Sequence, residues 1–189
     1  MHHQVTKGIM RYSITLAFFV YVIACLAEPL PTNRFQIWLK GDDYRQALLG
    51  KPMTMKFTAM NGRQVDLSQM RGKVVLIDFW QTECEPCVAE MPRIETALKK
   101  YHRQGFEVIG ISDDTDKDKL ERFLKDKKIP WPQYFEDRVY NQFIVEYGIN
   151  SFPRMFLVDK KGCLRFDDVK AEGSRTNFED KIEGLLAEK

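Results

Sequence analysis

The chain has 189 residues, 44% hydrophobic and 30% charged, which is enough apolar material for one globular core and excludes a disordered or fibrous chain. Its 29 basic residues nearly balance 27 acidic ones and no basic stripe carries interleaved aromatics, so nucleic acid is excluded as a partner. Four cysteines, at positions 25, 84, 87 and 163, are too few and too scattered to staple a fold; one close pair points to chemistry instead.

Lys7 and Arg11 precede an apolar run from Ile14 to Ala27, interrupted by Thr15. The run is short for a membrane span of about 20 residues and fits a signal-peptide core, so residues 1–27 are expected to direct export or to anchor the chain. Val22-Ile23-Ala24-Cys25 resembles a bacterial lipobox, which implies acylation at Cys25; cleavage near Ala24 or Ala27, or retention as an anchor, are the alternatives. The expected location is outside the cytoplasm, in the periplasm or cell envelope. Pro29 and Pro31 suggest a short tether, so that 28–49 is expected to be tether and N-terminal extension, with no clean period from residue 33 onward.

The interpretable domain spans 50–189. Lys56 to Met60 and Arg63 to Asp66 flank Asn61-Gly62, the favoured pair for a two-residue hairpin turn. Val74 to Phe79 is an almost unbroken apolar run, the signature of a buried strand. Cys87, Met91, Ile94, Leu98 and Tyr101 then recur at steps of four and three, which predicts an amphipathic helix. Phe106 to Ser112 is the next strand. Thr115 with Asp118 reads as a capping box for a helix with Leu120, Phe123 and Leu124 on one face, its charges facing solvent. A short strand at Gln133 to Phe135, a helix from Val139 to Tyr147 and a hairpin of Met155 to Asp159 with Cys163 to Phe166 follow. Thr176-Asn177-Phe178-Glu179 caps a last helix. The expected fold is α/β, a mixed central sheet with helices on both faces and an N-terminal hairpin.

Trp80-Gln81-Thr82-Glu83-Cys84-Glu85-Pro86-Cys87 lies at the junction of the first long strand and its helix. The i, i+3 spacing puts Cys84 and Cys87 on one side of the helix start, within reach of a disulfide. Unpaired N–H groups and the helix dipole favour a thiolate at Cys84, against a free-thiol pKa of about 8.5. Pro86 suits the first turn because no helical bond needs its missing N–H. Cys84 is thus expected to attack a substrate disulfide and Cys87 to resolve the mixed disulfide. As a zinc site the pair is two ligands short. The non-enzymatic alternative is a module that holds copper or a client protein through the same surface; copper delivery goes with a longer cysteine spacing and a downstream histidine, and of His2, His3 and His102 none follows the helical region where it would be needed.

Gly72 to Trp80 (GKVVLIDFW) followed by Cys84 to Pro92 (CEPCVAEMP) resembles the ResA/TlpA branch of thioredoxin-like proteins, related to the AhpC/TSA redoxins, and the likeness runs from about residue 50 to the C-terminus. It implies a thiol-disulfide oxidoreductase of the envelope, of protein-disulfide reductase type, with no cofactor. Its partners would be protein substrates carrying disulfides or thiols, often apocytochrome c in cytochrome c maturation, and a membrane thiol donor. Phe152-Pro153 matches the cis-proline position of that branch. Phe152, Pro153, Arg154 and Trp80 are the residues expected to meet substrate, Trp80 also being read as packing. Asp78 matches the buried aspartate of thioredoxin, its pKa raised by desolvation. Glu90 matches the glutamate that tunes the pair. Peroxidase activity, shared by redoxins of the same fold, is disfavoured by Gln81 where a threonine belongs. Glu83 and Glu85 beside the cysteines oppose a thiolate, from which a less acidic Cys84 and a more reducing couple are expected. Cys163 reads as a small core residue.

Overall fold

The structure, a computed structural model, describes residues 41–138, 140–169 and 178–188, all within one compact unit. The export segment, Cys25, Val139, Thr176 and Asn177 lie outside the described residues. A first helix, α1 (Gly41–Leu48), leads into a hairpin of β1 (Lys56–Thr58) and β2 (Gln64–Asp66) and then β3 (Val74–Trp80), α2 (Glu85–Tyr101) and β4 (Phe106–Ser112). After α3 (Lys117–Lys127) come β5 (Gln133–Tyr134), α4 (Gln142–Glu146), β6 (Arg154–Val158), β7 (Leu164–Phe166) and α5 (Phe178–Ala187).

The main sheet has the order β5-β4-β3-β6-β7, parallel from β3 to β5 and antiparallel on the β6–β7 side. Every residue of β3 and β4 is buried, as expected of strands covered on both faces. Alternation along β3 divides the core. Leu76 and Trp80 face α2, α3 and α5 with Met91, Ile94, Leu120, Phe178 and Ile182. Val75, Ile77 and Phe79 face the hairpin and α4 with Met55, Phe57, Phe143 and Phe156.

Several boundaries depart from the expected ones for local reasons. The first hairpin closes through three residues: Ala59 N–H donates to Arg63 carbonyl and Gly62 N–H to Ala59 carbonyl, with Gly62 at φ +82°. That is a turn followed by a left-handed residue, which Gly62 supplies more readily than any L side chain. Asp116, not Thr115, caps α3 by accepting from Lys119 N–H. Asn141 caps α4 through its side-chain oxygen, so the helix begins later than the apolar pattern suggested.

The later part of the stretch read as tether and N-terminal extension contains α1, which is bonded into the domain. The Arg45 side chain is fully buried; it donates to Gly148 carbonyl, pairs with Asp42 and lies 3.7 Å from Asp167. Gly50 N–H donates to Leu164 carbonyl, and Leu164 N–H to Lys51 carbonyl, beside β7. Met60 N–H donates to Gln133 carbonyl on β5. Residues 50–60 therefore run under one face and touch both outer strands. Among the described residues no helix is long and apolar enough to cross a membrane.

Candidate active site

β3 delivers the chain at Trp80 to the end of the sheet, and Cys84 caps α2 four residues later. The Cys84 sulfur accepts from Cys87 N–H at 3.2 Å, so one orphan donor of the helix start is aimed at it. Cys84 and Cys87 form a disulfide with Cα atoms 5.2 Å apart. Their environments differ. Cys84 is half-buried, whereas Cys87 is 1% exposed within the cluster that also holds Trp80 and Met155. An incoming molecule can therefore reach only the first sulfur.

The loop before Cys84 is held from β4. Thr82 donates to Asp114 through its backbone N–H and its hydroxyl, Ser112 hydroxyl donates to the same carboxylate at 2.7 Å, and Gln81 amide donates to Asp113 at 3.2 Å. Burial, opposed by the Gln81 bond, leaves Asp113 above the usual carboxylate range. Composition and spacing held no sign of this bracket. Asp113-Asp114 after an apolar strand was the available signal, but its partners lie 32 residues back in the chain.

Asp78 sits on β3 in register with Met155, on the α2 side of the sheet. It is 1% exposed, and neither carboxyl oxygen has a hydrogen-bond partner among the described residues. Burial, with the charge of Glu90 added, pushes it up to about 8. Glu90 is half-buried on α2. Asp78, Glu90 and Cys87 are thereby brought to one side of the sheet.

The Phe152–Pro153 peptide is cis and both residues are half-buried. Two residues expected to meet substrate are placed elsewhere. Trp80 is fully buried, with its Nε1–H donating to Gln133 Oε1 at 2.9 Å, which removes it from the surface. Arg154 is in register with Phe79 and so projects to the α1 face, where it pairs with Asp168 at 3.3 Å and donates to Ser151 at 3.0 Å. Its charge is engaged inside the protein instead of at the mouth. Glu83 also differs from expectation. Its carboxylate meets Lys119 Nζ of α3 at 2.5 Å and is held below its ordinary range by that bond, so its charge is matched before it reaches Cys84. Glu85 is exposed in the first turn of α2, and Cys163 is free and half-buried.

This arrangement, a disulfide at a helix N-terminus with one sulfur open and one closed, is that of a dithiol exchange centre. The AhpC/TSA family model matches residues 50–167, which includes the whole of this site. The chain belongs to the AhpC/TSA family. Within it the chain is a thiol-disulfide oxidoreductase of ResA type. It is 29% identical over 171 residues to the thiol-disulfide oxidoreductase ResA of Bacillus cereus, covering 90% of this chain and 96% of that one. The ResA of Geobacillus kaustophilus is 31% identical, covering 84% and 87% respectively. Among solved structures, a Chlorobium tepidum protein designated a thiol:disulfide interchange protein DsbE matches with a TM-score of 0.65 and 26% identity, over 74% of this chain and 97% of that one. The expected thioredoxin-like fold is thus found in both the topology and its neighbours.

Proposed function

We propose that this redoxin is an extracytoplasmic reductase of protein disulfides, with Cys84 as attacking thiolate, Cys87 as resolving thiol and Asp78 as acceptor of the Cys87 proton. The observation that carries these roles is the asymmetry of the pair: Cys84 half-buried at a helix start, Cys87 closed off on the Asp78 side of the sheet. In the reduced protein the Cys84 thiolate attacks one sulfur of a substrate disulfide, forming a mixed disulfide and expelling the other sulfur as a thiolate. Asp78 carboxylate takes the proton of Cys87. The Cys87 thiolate attacks Cys84 Sγ, closing the enzyme disulfide and releasing the second substrate thiolate. Glu90, through its charge on Asp78, raises the affinity of that carboxyl for the proton.

Export by residues 1–27, with Cys25 as acylation site in the lipobox alternative, is supported by the charged and apolar pattern of that segment. Residues 28–49 then serve as tether and N-terminal extension ahead of the catalytic domain. Pro153 and Phe152 flank the pair on the substrate side, as the resemblance implies. The likeness to the ResA/TlpA branch further suggests apocytochrome c cysteines as substrate and a membrane thiol protein as electron donor.

The test is trapping in the native envelope. A Cys87→Ala variant should accumulate mixed disulfides through Cys84, wild type should be mostly reduced, and Cys84→Ser should lose insulin reduction. Full exchange activity in Cys84→Ser, or a wild-type pair found mostly oxidised, overturns the assignment.

A further inference from the structure

Asp78, Gly110 and Gln133 stand in one row across three strands: Asp78 is in register with Gly110, and Gly110 with Gln133. Side chains in register on neighbouring strands project from the same face, so a side chain at position 110 would stand between the other two. Gly110 has none, and the Gln133 amide fills that space, where an added Cβ would overlap it. Gln133 thus reaches over β4 in the direction of Asp78.

The orientation of the amide is set by chemistry. Trp80 Nε1 can only donate, and Trp80 lies two residues along β3 on the Asp78 face, so Gln133 Oε1 must turn to it. Among the described residues, buried Gln133 Nε2 meets no acceptor and the two buried Asp78 oxygens meet no donor. A buried polar atom left in this way is costly, and native proteins carry few of them. The other buried side-chain nitrogens without a hydrogen-bond partner, among the described residues, lie elsewhere. Arg45 and Arg154 belong to the α1 face, and Trp131 precedes β5 and lines a groove with Val88, Met91 and Pro92.

We propose that Gln133 is a positioning residue for Asp78, its Nε2–H donating across the Gly110 gap to the ionised carboxylate that takes the Cys87 proton. The inference rests on the proton-acceptor role given to Asp78 above. The ionisable groups facing Asp78 are Glu90 and, when reduced, Cys87, both from α2; β4 and β6 offer Gly110 and Met155 at its register. Gly110 and Met155 have no side-chain N–H or O–H to offer the carboxylate, and the proton on Cys87 is the one that Asp78 takes. With Gln133 in place the ionised form becomes accessible nearer neutrality, because a hydrogen bond to the charged form favours it.

The experiment is a carboxyl NMR titration of Asp78 in the reduced full-length protein, with the Gln133 side-chain amide followed in parallel. In wild type the Gln133 amide protons should shift with the midpoint of Asp78. In Gln133→Met and in Gly110→Ala, where the added Cβ displaces the arm, that midpoint should rise by about one pH unit. Rapid mixing should show resolution of the mixed disulfide slowed several-fold at pH 7, with its pH limb moved by the same interval. An Asp78 midpoint unchanged in either folded variant, or Gln133 amide protons indifferent to it in wild type, overturns the proposal. A Cys87 resolution rate and pH profile unaltered in Asp78→Asn would instead remove the proton-acceptor role, while the titration still decides whether Gln133 contacts Asp78.

Discussion

Asp114 holds Thr82 by two bonds, accepting from its backbone N–H at 3.1 Å and from its hydroxyl at 2.5 Å, and so ties the approach to Cys84 to the end of β4. Asp114→Ala removes both bonds together with the acceptor for Ser112. Stability to urea should fall by about 1–3 kcal/mol, the range for leaving half-buried donors unmet. Insulin reduction should fall about tenfold, since misplacing a reacting group by a fraction of an ångström has effects of that order. Retained activity in a destabilised protein would mean that the bracket serves folding alone.

The Glu83–Lys119 pair is exposed and makes a different prediction. Lys119→Glu replaces the charge that matches Glu83 with a second negative one, so alkylation of reduced Cys84 at pH 6 should slow about threefold at low ionic strength. In salt of about 1 M, where the screening length is roughly 3 Å, the difference should shrink toward zero. A slowing that ignores salt would assign the effect to displaced structure instead of charge.

Asp78 imposes a pH dependence on stability whose sign is opposite to that of a salt-bridged aspartate. Unfolded, the group has an ordinary pKa of about 3.9; folded, it is pushed up to about 8. Between those values the native state keeps a proton that the unfolded state has lost, so stability falls as pH rises through this window. Asp78→Asn removes the proton linkage. In the oxidised protein the variant should gain on wild type by about 1.4 kcal/mol per pH unit from roughly pH 4 to 8. Urea unfolding at three pH values measures it, and parallel curves for the two proteins would mean that Asp78 is ionised in the fold.

Arg45 is the fully buried cation of α1, bonded to Gly148 and close to Asp167. Arg45→Leu leaves those acceptors without their donor and should destabilise the protein by about 3 kcal/mol, read as a lowered urea midpoint. Because Gly148 lies at the end of α4, shortly before the Phe152–Pro153 segment, amide hydrogen exchange around residues 147–152 should also quicken.

The strand β3, the helix α2 and the roles of the two cysteines could be read from local pattern, since a continuous apolar run and a 3.6-residue period need no knowledge of partners. α1 was not readable. Its buried side chain is an arginine, satisfied by a carbonyl more than a hundred positions away, and Tyr44, Ala47 and Leu48 make an apolar stripe of a single turn, too short to set a helix apart in the sequence. Trp80 was legible as apolar but not as the donor to Gln133, and Arg154 as a charge but not as one facing α1. Gln133 itself carried no signal, because its proximity to Asp78 depends on the register of three strands and on a glycine in the middle one. Short-range chemistry was visible in the sequence; whatever depended on pairing across the sheet was not.

A sheet with an open border can be joined by another chain along its backbone. Open strand edges are the usual entry point, since their unpaired N–H and carbonyl groups template another strand. Here the stretch from Gly50 to Met60 bonds to β7 at one border and to β5 at the other. Both borders of the main sheet thus already carry backbone bonds to the chain's own residues, which leaves fewer open groups for another strand to pair with.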